Sequence, residues 1–283
     1  MASPAGGSVQ QGSSIDTIFG TVRVDAEYLE AATGEGEAAH RAAGHVLGLQ
    51  NLRFHIVEAG YTSLGWGDLA PDRVPVYAWR FKKRADDQPP PPSYILGHEI
   101  GHDLFIRYLV PSTKADQYGG DAPDWLDEMA AVAFEGEKLR STRRRAAVRY
   151  AREGKLIGLE RFLTMNHPEM KEGSLTDAAD GEMKAFEPAS DDTPKFYAMA
   201  SAFHDFLVDR TMNPAIVAEL AEVVRKGQPL EHWLLTRTGH KSGIAALNAD
   251  FERWIASDAR YGGEPRDQAQ GATGYSGDER AAR

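Results

Sequence analysis

The chain contains no cysteine. Any metal site must therefore be built from nitrogen and oxygen ligands, and neither a disulfide framework nor a thiol nucleophile is available. Long apolar runs are also missing: nothing approaches the ~20 residues that a helix needs to cross a bilayer. Positive charge is in short supply, with 32 Lys and Arg against 42 Asp and Glu and a net charge of −10. The overall field repels phosphate backbones and anionic lipid, so nucleic acid is not an expected partner. Met1 to Ser14 lacks the charged and apolar regions of a signal peptide and reads as a flexible lead-in. The small residues after Met1 would also suit the mature side of a trimmed export signal, and on that secondary reading the protein is secreted or periplasmic.

What is present suits a substantial core. At 283 residues, 42% hydrophobic, the chain is long enough for one large domain or two packed lobes. Thr17 to Val24 suggests a short strand, and Gly36 to Leu47 an Ala-rich helix. Leu52 to Val57 and Val74 to Phe81 alternate apolar with polar residues as strands do, and Pro75 places the second at a sheet edge, where an extended peptide can bind. The prolines 89–92 forbid helix. Ser93 then stands as an N-cap, and the spacing predicts a helix from Ser93 to Leu109. A polar loop, Pro111 to Pro123, leads to a second helix over Asp124 to Leu139. Further helices are expected at Arg143 to Ala151, Gly158 to Thr164, Thr193 to Asp209, Pro214 to Val224, Leu230 to Thr236 and Ser242 to Ile255. The residues from Gly262 carry no periodicity and read as disordered.

The chemistry concentrates in Leu96-Gly-His98-Glu99-Ile100-Gly101-His102, a His-Glu-x-x-His string inside a segment argued separately to be helical. Residues four apart share a helix face, so His98 and His102 can offer ring nitrogens to one ion while Glu99 reaches a metal-bound water. A catalytic zinc has three protein ligands and an open position. Glu128 is the best third candidate, because its stretch opens a second helix that can return across the first; Glu135, seven residues on, is the reserve. Asp127 points elsewhere and is solvated or supports a ligand from behind. Gly97 and Gly101 cost helix stability, which suggests close approach by a neighbouring backbone.

His98-Glu99-x-x-His102 followed by Trp125-Leu126-Asp127-Glu128-Met129-Ala130-Ala131 resembles the gluzincin zinc metallopeptidases, particularly the peptidase MA-like domains, with distant likeness to thermolysin and aminopeptidase N. The second motif of that group is commonly Trp-Leu-x-Glu-Gly-x-Ala, and Met129 replaces its Gly. The likeness spans about Tyr94 to Ile255. It implies a zincin-like fold, one zinc per chain on His98, His102 and Glu128, Glu99 as general base, and hydrolysis of a peptide or protein substrate. Tyr197-Ala-Met-Ala-Ser-Ala-Phe-His204-Asp-Phe-Leu207 is similar to the helix that follows in these domains and to the Tyr-x-Lys-Gly-Ala helix of the aminopeptidase N family. That similarity implies Tyr197 as the donor to the oxyanion; His204, two turns on, could serve instead or orient substrate. Two departures stand out. Val132 occupies the place where thermolysin-like enzymes carry an Asp that supports a histidine, so support must come from elsewhere. The Gly-x-Met-Glu-Asn string that grips a free amino terminus is absent, which favours endopeptidase action.

Other features have plainer readings. The basic run from Lys138 to Lys155 is expected as a solvated helix face, with an acidic partner as the alternative. Trp66, in a Gly-rich loop, reads as a loop anchor, and His167, before Pro168, as a cap or surface residue. The expected architecture is α+β: a lead-in over 1–15, an N-terminal lobe over 16–110 with a small mixed or antiparallel sheet ending in the zinc-binding helix, a helical C-terminal lobe over 111–260, and a disordered tail over 261–283. The rival readings are a non-catalytic zinc-stabilised binding or regulatory protein and a metal-free helical interaction module.

Overall fold

The computed structural model describes residues 13–58, 74–79, 95–113, 120–168, 191–258 and 260–261. Trp66, the prolines 89–92, the Ser93 cap and the tail from Gly262 lie outside them. The fold is α+β, with a four-stranded mixed sheet at the N-terminal end and helices thereafter.

The sheet has the order β1 (Ser13–Asp16), β2 (Thr21–Val24), β3 (His55–Val57) and β4 (Val76–Ala78). β1 pairs antiparallel with β2, in register Ser13↔Val24, while β2–β3 and β3–β4 are parallel, in registers Val22↔Ile56 and His55↔Val76. β2 follows the alternation expected of a half-buried strand, with Val22 and Val24 fully covered. β1 corrects the reading of residues 13–15 as lead-in: four polar or exposed positions carry no period, and only their ladder to β2 makes them a strand. β4 lies at one edge of the described sheet, as Pro75 predicted, and the Pro75 carbonyl accepts the His55 N–H at 2.8 Å.

The crossover from β2 to β3 is α1 (Leu29–Val46), entered through a 3-10 turn at Ala26–Tyr28. Its buried face, Ala32, Gly36, Ala39, Ala43 and Val46, repeats at helical spacing and consists of small residues, which lets the helix lie close to its neighbours. It packs on both the sheet and α2 (Leu96–Leu104), the helix carrying the His-Glu-x-x-His string. α2 continues into a π-helical turn, Phe105–Leu109, so the helical path ends where the sequence placed it. Tyr77 of β4 ties the sheet edge to α2 by donating its hydroxyl to Asp103 Oδ2 at 2.6 Å.

α3 (Asp124–Ala133) stops short of the predicted Leu139. The chain turns through Phe134 to Gly136, whose backbone is extended, and restarts as α4 (Glu137–Arg152), so the helix expected from Arg143 begins six residues earlier. A short α5 (Leu159–Phe162) precedes α6 (Thr193–Thr211), α7 (Ile216–Arg225), α8 (Leu230–Thr238) and α9 (Ile244–Ser257). α6 is the centre of this half, packing on α3 and α4. It is buried nearly all round, and Phe196, Phe203 and Phe206 join Trp125, Phe162, Phe251 and Trp254 in one aromatic core. Tyr261 is buried against Trp254 and belongs to that core, not to the tail.

Candidate metal centre

α2 and α3 cross at unusually close range, and two glycines permit it. A Cβ at Gly101 would stand 2.8 Å from the Ala131 Cα, and one at Gly97 would stand 2.5 Å from the Phe134 carbonyl oxygen. Both helices therefore touch backbone to backbone. Ala131 lies less than one turn of α3 from Glu128, and Gly97 and Gly101 each precede one of the two histidines on α2.

The three side chains converge. His98 Nε2 lies 3.1 Å from His102 Nε2, 3.6 Å separates it from Glu128 Oε1, and His102 Nε2 is 3.7 Å from Glu128 Oε2. Around an ion with bonds of about 2.0–2.1 Å in tetrahedral arrangement, neighbouring ligand atoms sit about 3.3 Å apart. The spacing fits that triangle, and these residues form a group able to hold a metal ion.

What stands behind the ligands fixes which atoms face inward. His98 Nδ1–H donates to Glu135 Oε1 at 3.0 Å, and His102 Nδ1–H donates to Asp127 Oδ2 at 2.8 Å. These carboxylates assign the tautomers and leave both Nε2 lone pairs aimed at the Glu128 carboxylate. Three Lewis bases that converge in this way suit a cation between them, and the group could hold a metal ion. Glu128 makes the demand sharper: it is fully buried, and neither oxygen accepts a hydrogen bond. A buried carboxylate without a partner is expensive, and a metal ion supplies one.

The titration of the groups follows. Burial alone would lower the basicity of His102, but the Asp127 and Glu128 carboxylates outweigh it and push its pKa up to about 9. Burial would raise the Glu128 pKa; the surrounding His98, His167 and His102 rings prevail and hold it below the ordinary carboxylate value. Without a metal, then, a proton on His102 takes the place of the cation.

Glu99 follows His98 on the exposed side of the first turn of α2, close enough for its charge to act on His102. Tyr197, half-buried on α6, is brought alongside: its ring centroid is 5.8 Å from that of His98, and the Arg143 guanidinium stacks over it at 4.3 Å. Arg143 also donates to both oxygens of Glu135, at 2.8 and 3.3 Å, so one arginine holds the partner of His98 and the tyrosine beside it.

His204 is placed differently. Its ring lies against Asp205, 3.5 Å away, in a buried network where Arg140, Arg144 and Tyr261 also meet that carboxylate. Glu135, the reserve ligand, faces the outer nitrogen of His98 instead of the central space. Together with Asp127 it supplies the support that Val132 could not. The residue that sequence reasoning passed over is His167. It is 1% exposed, neither cap side chain nor surface residue, and its Nε2 lies 3.5 Å from Glu128 Oε2. Only its backbone behaves as a cap contact, the N–H donating to Asp124 Oδ2 at 2.6 Å. No local pattern marks it, because the contact spans 39 residues and depends on how the segment after α5 folds back over α3.

No family model, curated protein or solved structure matches the chain.

Proposed function

We propose that the protein is a zinc-dependent peptidase, most simply an endopeptidase, acting through the centre on α2 and α3. The observation that carries the reading is the joint arrangement of His98, His102 and Glu128 with an exposed Glu99 between the two histidines in sequence. An exposed carboxylate whose charge reaches His102 can serve as the base that hydrolysis needs. The likeness of both motifs to the gluzincin peptidases points the same way.

His98, His102 and Glu128 would hold the ion, and their two-nitrogen, one-oxygen donor set suits zinc. Zinc bound by three such ligands supplies Lewis acidity and brings a water molecule's pKa to about 7. Glu99 takes the proton of the attacking water and returns it to the leaving amine nitrogen as the peptide bond breaks. Tyr197 donates its hydroxyl hydrogen bond to the oxygen that becomes negative when water adds to the carbonyl carbon. Asp127, Glu135 and Arg143 keep the two imidazoles and the tyrosine in place throughout. Substrate approaches from the side where Glu99 is open, near the edge strand β4, whose Tyr77 is anchored to α2.

The test is zinc content and hydrolysis of casein or a quenched peptide pool, measured on wild type, Glu128→Ala and Glu99→Gln. About one zinc per wild-type chain, its loss in Glu128→Ala, and retention of metal without hydrolysis in Glu99→Gln are the expected results. Zinc in the wild type without hydrolysis of any peptide would favour the zinc-stabilised binding protein. Absence of zinc after reconstitution would end the metal reading.

A further inference from the structure

The geometry points to His167 as a positioning residue for the third metal ligand, donating Nε2–H to the Glu128 oxygen that faces it and so fixing the carboxylate for the ion. This rests on Glu128 binding a metal, as proposed above, but not on the reaction.

An ionised carboxylate offers about four lone-pair directions, and at a fully buried position each unmet one is costly. Oε1 faces His98 at 3.6 Å, while Oε2 faces both His102 at 3.7 Å and His167 at 3.5 Å. His98 and His102 already give their Nδ1–H groups to Glu135 and Asp127, so within a metal-loaded centre their Nε2 atoms are acceptors and cannot donate to Glu128. Of the three imidazoles around the carboxylate, His167 alone stands outside the ligand group, so an Nε2–H there does not compete with a bond to the ion. Metal and His167 then satisfy the carboxylate together.

His167 is also held as such a role requires. Its backbone N–H is bonded to Asp124, one helical turn before Glu128 on the same face of α3, so the residue straddles that face with main chain at one position and ring at the other. Phe196 packs edge-on at 5.1 Å and Tyr197 at 5.5 Å between ring centroids, which confines the imidazole plane. A ring this enclosed cannot reach a substrate carbonyl. Its effect must pass through Glu128.

His167→Phe keeps the aromatic volume and removes the donor; His167→Gln restores a donating nitrogen at a similar reach. Zinc affinity is read by competition with a chromophoric chelator, and the Co(II)-substituted proteins are compared by visible absorption, which reports coordination directly. The expected result is a 10- to 100-fold weaker affinity in His167→Phe with an altered Co(II) band, and recovery to within a few-fold of wild type, with a wild-type band, in His167→Gln. Melting of the metal-free proteins separates this from a general packing defect. Should His167→Phe fail to fold, the comparison passes to His167→Gln and His167→Leu, for which the same difference in affinity is expected. Wild-type affinity and spectrum in a folded variant without the donor would overturn the inference while leaving the metal site and its reaction standing. Metal binding with no peptidase activity would do the reverse, removing the reaction and leaving this role intact. A wild type that takes up no metal overturns both.

Discussion

Gly101→Ala separates two opposing effects at a single methyl group. In an open helix, alanine stabilises relative to glycine by about 1 kcal/mol. At Gly101 the new Cβ would meet the Ala131 Cα at 2.8 Å, the Ala130 oxygen at 3.1 Å and the Phe134 ring at 3.3 Å. Carbon atoms rest at about 3.5–4.0 Å, so α2 and α3 must move apart by roughly 1 Å. Overpacking of this kind costs about 1–3 kcal/mol, which exceeds or cancels the gain in helix propensity. Glu128 rides on α3 less than one turn from Ala131, so the same displacement widens the ligand triangle. Metal sites tolerate about 0.2 Å in bond length, and zinc affinity should fall by at least about tenfold. Gly34→Ala is the control, since that exposed helical glycine has nothing within 4 Å of its would-be Cβ and the substitution should stabilise. Urea denaturation and chelator competition on both variants decide the matter. If Gly101→Ala stabilised as Gly34→Ala does and kept wild-type zinc affinity, the close crossing would not be what brings the ligands together.

Metal uptake should release a proton. With His102 pushed up to about 9 in the metal-free protein, an ion arriving at pH 7 must displace its proton, so affinity weakens by up to about tenfold per unit as pH falls below 9. Calorimetric titrations in two buffers of different ionisation enthalpy measure the number released, and a value of zero at pH 7 would contradict the assignment. A separate acid effect should come from Asp205. Burial would raise its pKa, but contacts with His204, Arg140 and Tyr261 hold it well below 3.8. Because the folded value lies below the unfolded one, its contribution is present above about pH 4 and is lost as pH falls further. Asp205→Asn should lower stability at pH 7 by a few kcal/mol, as breaking a buried pair does, and flatten the acid limb of stability against pH. An unchanged acid limb would show that the network is not what titrates.

The helices were the most legible part of the fold, because apolar spacing and the turn residues between segments are local properties. The His-Glu-x-x-His string was legible for the same reason, since four residues of helix bring two imidazoles to one face without help from the rest of the chain. Glu128 needed one further step, the return of a second helix, and the sequence supplied it through a loop of sufficient length. The turn at Phe134 to Gly136 was not foreseen. Its cause is tertiary: the Phe134 carbonyl lies against Gly97 on the neighbouring helix, and this turn carries Glu135 to the outer nitrogen of His98. β1 escaped notice because its residues are ordinary loop residues that become a strand only on pairing. His167 lay furthest from view, since burial of its ring depends on aromatic residues contributed by α6.

The inner cage has an electrical consequence. Asp127, Glu128 and Glu135 are all buried, and the guanidinium of Arg143 is the cation bonded among them. With neutral imidazoles this leaves two negative charges enclosed away from water. A divalent ion brings the enclosure to neutrality, while a monovalent ion leaves it in deficit and a trivalent one overshoots. The valence that suits the site is thus set by Glu128, which would hold the ion, together with Asp127, Glu135 and Arg143, which would never touch it.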